Sequence, residues 1–278
     1  MNSQEIMEPV AAEAVVENKN HAIFKKSFAS KLFLAYVIAV GAMVLTYSLS
    51  SLITFFFFGA TGLGAISAVR VSALAWTRLG YMGVALVHAP KTVVLIIAFV
   101  SIIKLFTKKD TFSADHINMM SKIPAVLHLY SLFSLIDCGF FAVAAVANPF
   151  AESVFAFKDM LNLYGIFGFE VESVNLVVKI LFVAIVVGYG IFQFLMYGTV
   201  KNAYSEIEGA ARNEGYLSSK KVNVVLPMIY AAINFVFAVF MFINGSWISA
   251  LMNLSLAAYL VINTLYLNTL YKKIFVQA

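Results

Sequence analysis

Charged residues are scarce in this chain, and cysteine is almost absent. Asp, Glu, Lys and Arg make up 12% of the sequence, against roughly 25% in a typical soluble domain. The single cysteine, Cys138, excludes an intramolecular disulfide and a cysteine-based zinc cluster. Apolar residues account for 62% of the chain, and the mean hydropathy is +0.90. This composition excludes an ordinary soluble domain and indicates an integral membrane protein.

Recognisable catalytic and cofactor-binding motifs are also missing. No P-loop, Gly-x-Ser-x-Gly or His-Glu-x-x-His pattern occurs. His88 and His128 fall near opposite ends of their apolar runs, so we expect no shared metal or haem. The net charge of +5 flanks apolar runs and belongs to no soluble basic domain. We therefore expect no enzyme activity, no cofactor, no metal and no nucleic-acid partner.

Six apolar runs are each long enough to cross a bilayer, whose hydrocarbon core takes about 20 helical residues. The predicted fold is an all-α, polytopic membrane bundle of about six transmembrane helices. Residues 1–24 are predicted to form a mobile cytoplasmic tail, and residues 25–278 the six-span domain. The predicted spans are 32–58, 82–106, 123–147, 174–200, 222–243 and 247–271.

Two segments between these runs combine charged and aromatic residues. They cover residues 65–81 and 148–173. This mixture is typical of segments that lie at the membrane surface, so we expect both on the outer face. An alternative makes residues 65–89 a separate span, for a total of seven. It leaves only 92–106 for the next span, which is short for a membrane crossing.

The basic residues are distributed unevenly about the six runs. Fourteen of the 19 Lys and Arg lie in the N-terminal segment or after the second, fourth and sixth runs. Basic residues near span ends collect on the cytoplasmic side, so both termini are predicted to be cytoplasmic. We expect a multi-pass protein of the plasma membrane, in contact with the lipid bilayer.

Asp137 is the one acidic residue near the middle of a predicted span. A carboxylate at that depth costs about 2.5–3.5 kcal/mol on insertion scales, so it usually faces protein or a solvated cavity. Tyr130 and Ser134 fall on the same helical face as Asp137, at seven and three residues before it. This polar face either carries protons or a cation, or locks helix packing through a protonated or ion-paired carboxyl.

Two lysines lie a few residues inside the outer ends of their spans. Lys91 and Lys179 are candidate ion-pair partners of Asp137. The alternative is that both extend their long side chains to the outer headgroups.

Four side-chain amides form a predicted polar seam along the later helices. Within the sixth span, a regular three- and four-residue spacing places two of them on one face with leucines. Hydrogen bonds between helices explain such residues, and a polar conduit for a solute is the alternative. The four amides are Gln193, Asn234, Asn253 and Asn263.

Two functions remain open from the sequence. The first is a transporter, a channel or a permease subunit that uses intramembrane Asp137. The second is a non-transporting assembly, immunity or sensory component that acts through helix contacts. Either function is compatible with a homo-oligomer, or with a cytosolic partner subunit bound to the inner loops at 107–122 and 201–221.

Overall fold

The structure is a computed structural model that describes most of the helical part of the chain. The described residues are 19–53, 90–107, 114–147, 176–212, 216, 218, 222–243, 245 and 247–276. Within them the chain is helical with short turns and has no strand. The predicted surface segments at 65–81 and 148–173, and the alternative span at 65–89, lie outside the described residues, as do residues 1–18 of the predicted tail.

The described residues form seven α-helices, followed by a π-helical turn at Lys272–Val276. Six of the seven match the six predicted apolar runs in order, and the additional short helix precedes the first run. The helices are α1 (Lys19–Phe28), α2 (Lys31–Ile53), α3 (Pro90–Thr107), α4 (Ala114–Ala147), α5 (Leu176–Arg212), α6 (Val225–Ile243) and α7 (Trp247–Tyr271).

Polar residues define several helix ends. The Ser30 hydroxyl accepts a hydrogen bond of 3.2 Å from the backbone N–H of Phe33 and so caps α2. The Asn223 side-chain oxygen caps α6 in the same way, at 2.9 Å from the N–H of Val225. Gly245 has a φ of 73°, which lets the chain turn sharply from α6 into α7.

Helices α4 and α5 are much longer than the spans predicted within them. They contain 34 and 37 residues, and at about 1.5 Å per residue both reach about 50 Å or more. Helix α4 begins at Ala114, before the predicted start at residue 123. Helix α5 continues to Arg212, past the predicted end at residue 200. Both helices are therefore longer than the ~30 Å thickness of a hydrocarbon core.

The long helices alternate in direction. Gly41 of α2 packs on Phe99 of α3, and His128 of α4 contacts Gly198 of α5. Helix α7 returns alongside α2, where Ser255 and Thr46 hydroxyls lie 2.7 Å apart. Helices α2 and α3 are antiparallel, because Phe33 lies beside Phe106 while Tyr47 lies beside Lys91. Helices α4 and α5 are antiparallel too, since Asp115 meets Arg212 while Leu135 meets Gly190.

Four helical stretches among the described residues are long and apolar enough to span a membrane: Lys31–Ser50, Pro90–Thr107, Val225–Ile243 and Trp247–Val276. In each of these stretches, less than half of an 18-residue apolar segment is buried inside the protein. Large apolar side chains point outward, with Ile38 63% and Ile243 75% exposed. Such an apolar exterior suits lipid and not water, so the four helices suggest a membrane-embedded protein.

Helix α1 joins the ends of α4 and α5 at one end of the bundle. Asn20 donates a hydrogen bond of 2.9 Å to the carbonyl of Ala210 in α5. Arg212 lies 3.3 Å from the carboxylate of Asp115 in α4. We call this region the base: helix α1, residues 114–122 of α4 and residues 201–212 of α5.

Candidate functional site

The centre of the bundle is rich in buried tyrosines. Six of the eleven largest fully buried side chains are tyrosines, drawn from α2, α5, α6 and α7. A buried phenol keeps a hydroxyl that must find a hydrogen-bond partner or raise the free energy of the folded state. We call these six residues the tyrosine cluster: Tyr36, Tyr197, Tyr204, Tyr230, Tyr259 and Tyr266.

Tyr204 connects three helices at the centre of this cluster. Its hydroxyl donates a hydrogen bond of 2.6 Å to Oδ1 of Asn263 in α7. The hydroxyl oxygen of Tyr36 in α2 lies 3.5 Å away. All three side chains are fully buried, so this contact forms out of reach of bulk water.

The part of the cluster nearest the base ends at Tyr266. Its hydroxyl accepts a hydrogen bond of 3.1 Å from Ser27 of α1. Its ring stacks on Tyr36, with centroids 5.8 Å apart, and Tyr36 in turn lies 6.3 Å from the ring of Tyr259. Helices α1, α2 and α7 are therefore held together by both aromatic and hydroxyl contacts.

A second group of polar contacts surrounds Tyr230 of α6. Gln193 of α5 donates a hydrogen bond of 2.7 Å to the Tyr230 hydroxyl, and Tyr189 lies 3.4 Å from the same oxygen. Asn234 donates 2.7 Å to the backbone carbonyl of Tyr230. The ring of Tyr197 meets that of Tyr230 edge-on at 5.8 Å.

Helix α5 contributes to both groups from one face. Tyr189, Gln193, Tyr197 and Tyr204 follow one another at four- and seven-residue intervals, which places them on the same side of a helix. From Tyr189 to Tyr204 the face extends about 22 Å along the axis. It therefore covers most of the distance from the middle of the predicted fourth span to the base.

Three buried polar atoms of this region have no hydrogen-bond partner among the described residues. They are the Tyr259 hydroxyl, Nδ2 of Asn263 and Oγ1 of Thr264, all on α7. Tyr259 and Asn263 are one helical turn apart and fully buried. An unsatisfied buried donor or acceptor raises the free energy of the folded state by about 1–3 kcal/mol. Each of these atoms therefore destabilises the folded protein unless another molecule binds it.

Lys91 lies at the start of the described part of α3, between two tyrosine rings. Its ammonium is 4.6 Å from the ring centroid of Tyr47 in α2 and 5.7 Å from that of Tyr130 in α4. Both distances are within the range of a cation–π interaction. Tyr47 belongs to the same buried core as Tyr36 and Tyr230, so this contact, which we call the Lys91 clamp, adjoins the tyrosine cluster.

The residues predicted around Asp137 are described only in part. Tyr130 meets Lys91, so the structure brings together one residue of the predicted polar face and one predicted ion-pair candidate. Asp137 and Ser134 lie within α4 and Lys179 within α5, but their side chains fall outside the described part of the structure. Pairing of either lysine with Asp137 stays a prediction.

The four predicted amides reach three different places. Gln193 and Asn234 meet at Tyr230, and Asn263 bonds Tyr204. Asn234 and Asn253 each donate to a backbone carbonyl one turn back in their own helix, so the bonds between helices come from Gln193 and Asn263.

Sequence reasoning missed the buried tyrosines themselves. Tyrosine commonly lies at the headgroup level of a membrane, so a content of 13 tyrosines does not by itself indicate a buried cluster. The available signal was the spacing of Tyr189, Gln193, Tyr197 and Tyr204 on one face of α5.

Electrostatic contacts are concentrated at the base. Arg212 binds Glu208 at 2.8 Å, and the hydrogen bond and charge of Glu208 raise the pKa of this arginine. The Tyr216 hydroxyl donates 3.1 Å to Glu206; burial first and then this carboxylate raise the pKa of Tyr216. Burial lowers the pKa of His116, and the neighbouring Asp115 opposes that shift. The described residues include no group of three His, Cys, Asp or Glu that could hold a metal.

No protein-family model, curated protein or solved structure matches this chain.

Proposed function

We propose that this protein is a six-span, non-enzymatic transport protein of the plasma membrane that moves a small polar solute through its tyrosine-rich interior. The observation that carries the proposal is the run of buried hydroxyls and amides between α5 and the group formed by α2, α6 and α7. Its key contact is the Tyr204–Asn263 hydrogen bond, and Nδ2 of Asn263 has no partner among the described residues.

The position of this polar interior supports a path. In membrane transporters, solute sites lie at interfaces between groups of helices near the bilayer midplane. Here the polar face of α5 begins near the midplane and leads to the base over about 22 Å. Polar groups in an apolar bundle are costly and tend to mark solute or ion pathways.

The distribution of lysines favours one orientation of the protein in the membrane. Eight lysines near the base are exposed. They lie in α1, at the ends of α2, α3 and α7 nearest the base, or near the predicted span boundaries of α4 and α5 that face the base. A belt of lysines at one end favours the cytoplasmic side. We accordingly place the base in the cytoplasm. The belt consists of Lys25, Lys26, Lys31, Lys104, Lys122, Lys201, Lys272 and Lys273.

Flux through purified protein tests the proposal. Proteoliposomes are compared with empty vesicles for glycerol and urea entry by stopped-flow light scattering, and for proton entry by a trapped pH-sensitive dye. We expect protein-dependent flux of at least one of these species, reduced severalfold by Tyr204→Phe. Tyr271→Phe is the matched control, because its hydroxyl contacts Ser218 outside the cluster. Wild-type flux equal to that of empty vesicles, or equal flux in Tyr204→Phe, would contradict a path through the cluster.

Asp137 suggests a second form of the proposal, the cationic version, in which the transported species is a proton or another cation. A carboxyl near the midplane would favour protons or a cation as the solute. We expect Asp137→Asn to abolish proton or cation flux while leaving urea and glycerol flux unchanged. Unchanged proton flux in this variant would contradict the cationic version and leave transport of a neutral solute unaffected.

A non-transporting role is the second candidate, and the base favours it. Helices α4 and α5 extend past the lysine belt and expose the charges of Arg212 and Asp115, beside the half-buried Glu208. Such a surface suits a cytosolic subunit or a second copy of the chain. Recovery of a stoichiometric cytosolic ATPase with the detergent-solubilised protein would identify a permease subunit; a different partner, together with absent flux, would favour an assembly or sensory role.

A further inference from the structure

We infer that Tyr259 and Asn263, beside the Tyr36–Tyr204 pair, form a binding site for one small neutral oxygen-bearing molecule, either water or a small hydroxyl or carbonyl solute. Binding at this site does not depend on the proposed function. Only a role of the site in transport rests on that function.

Two unpartnered polar groups identify the site. The Tyr259 hydroxyl and Nδ2 of Asn263 are fully buried, one helical turn apart, and have no hydrogen-bond partner among the described residues. Both adjoin the same pair of tyrosines: the ring of Tyr259 is 6.3 Å from that of Tyr36, and Asn263 bonds Tyr204. Buried polar groups in native proteins nearly always have a partner, and where protein supplies none, a bound molecule does so.

Exchanging the nitrogen and oxygen of the Asn263 amide does not remove the need for a ligand. Rotating the Asn263 amide by 180° would exchange Nδ2 and Oδ1, and Tyr204 would then accept a hydrogen bond in place of donating one. One amide atom would still be unpartnered, because only one faces Tyr204. The ligand must therefore either accept from N–H or donate to C=O, and a hydroxyl or water oxygen does both.

The surroundings select a neutral ligand. The buried polar residues in the described part of the chain include one carboxylate, Glu206, and this group accepts a hydrogen bond from Tyr216. The groups around the site are phenols and an amide, which carry no charge at neutral pH. An ion would be desolvated there without a counter-charge, whereas a neutral oxygen loses little.

Removing one hydroxyl distinguishes a bound molecule from an unsatisfied group. If Tyr259 binds a ligand, Tyr259→Phe loses a hydrogen bond, and the folding equilibrium constant falls roughly 3- to 10-fold. If nothing binds there, the same change removes a desolvation penalty, and the variant becomes more stable than the wild type. The measurement is reversible unfolding in mixed micelles. A Tyr259→Phe protein at least as stable as the wild type overturns the inference.

Thr264→Val is the matched control. Thr264 also carries a buried, unpartnered hydroxyl on α7, but its position is turned about 100° from Asn263. A buried water needs at least two polar partners, and Thr264 faces away from the Tyr259–Asn263 pair, so we expect no bound molecule there and a variant as stable as the wild type or more so. A loss equal to that of Tyr259→Phe would overturn the assignment, since the effect would not be specific to this site.

Two further measurements separate water from a solute. An experimental map of the protein in lipid nanodiscs is expected to show density about 2.7–3.2 Å from both Tyr259 and Asn263. A single-atom density, with no stabilisation by urea or glycerol, identifies water. Stabilisation of the wild type but not of Tyr259→Phe by either compound identifies a solute. If Tyr259→Phe does not fold, the map decides, and absence of density there overturns the inference.

Discussion

The hydroxyl of Tyr204 donates a 2.6 Å hydrogen bond to Oδ1 of Asn263 and thereby joins α5 to α7 in the interior of the bundle. The two residues are 59 positions apart in sequence. Around this contact the protein buries hydroxyls and amides where a simple membrane bundle would bury leucine. The proposals for transport and for a bound neutral molecule both start from it.

The first prediction concerns the strength of this contact. Tyr204→Phe leaves Oδ1 of Asn263 without its donor and should destabilise the protein by about 1–3 kcal/mol. The double variant Tyr204→Phe, Asn263→Leu removes both partners and should recover part of that loss. Equilibrium unfolding in micelles measures all three proteins. Additive losses in the double variant would show that the two residues are not coupled.

The second prediction concerns the Lys91 clamp. Lys91→Met keeps the apolar stem but removes the ammonium 4.6 Å from the ring of Tyr47, and we expect a loss of about 0.5–2 kcal/mol. Tyr47→Phe keeps a ring and should preserve the contact better than Tyr47→Leu. The rate of acylation of Lys91, followed by mass spectrometry, should rise in Tyr47→Leu. An unchanged rate would argue against the clamp.

The third prediction compares two glycines. A Cβ at Gly41 would lie 2.8 Å from Cζ of Phe99, so Gly41→Ala should displace the Phe99 ring from its place between α2 and α3, at a cost of about 1–3 kcal/mol. A Cβ at Gly188 meets no atom of the described residues within 4 Å. Gly188→Ala should therefore be neutral, or stabilising by up to about 1 kcal/mol through helix propensity. Thermal unfolding of both variants checks the contrast; equal effects would contradict this packing of α2 on α3.

The fourth prediction concerns pH. Burial lowers the pKa of His116, whose ring meets Phe28 edge-on at 6.2 Å. The folded protein therefore favours the neutral ring. Its contribution to stability is complete above the unfolded-state pKa of about 6.5 and is lost as pH falls through the lower folded-state value.

The matching measurement is the unfolding midpoint at pH 7.5 and pH 5.5. We expect the wild type to lose more stability over this interval than His116→Gln, which cannot titrate. Other groups of the base, including Asp115, titrate in both proteins, so only the difference between them reports on His116. Equal losses would show that His116 does not contribute.

The sequence predicted some helix ends well and others poorly, for a physical reason. The sixth span, 247–271, coincides with helix α7, because a glycine turn precedes it and two lysines follow. Helix α4 begins at Ala114, before the predicted span, since hydropathy locates apolar residues and not the polar turns that continue a helix.

The candidate site was predicted less completely than the fold. Composition and spacing indicated that Gln193, Asn234 and Asn263 needed partners inside the bundle. Which residues supply those partners depends on contacts between helices far apart in sequence, such as Gln193 with Tyr230. A single-sequence pattern carries little information about such pairs, and tyrosine has a common alternative role at the membrane surface.

The length of α5 gives the molecule a mechanical property. An unbroken helix of 37 residues is a rod of about 55 Å, with the polar face near its centre and Arg212 at the end that lies in the base. A tilt of about 5° about Leu176 would displace the Arg212 end by roughly 5 Å, about one helical turn. Small rearrangements of the tyrosines around α5 would thus be amplified into movements of the base of several ångströms.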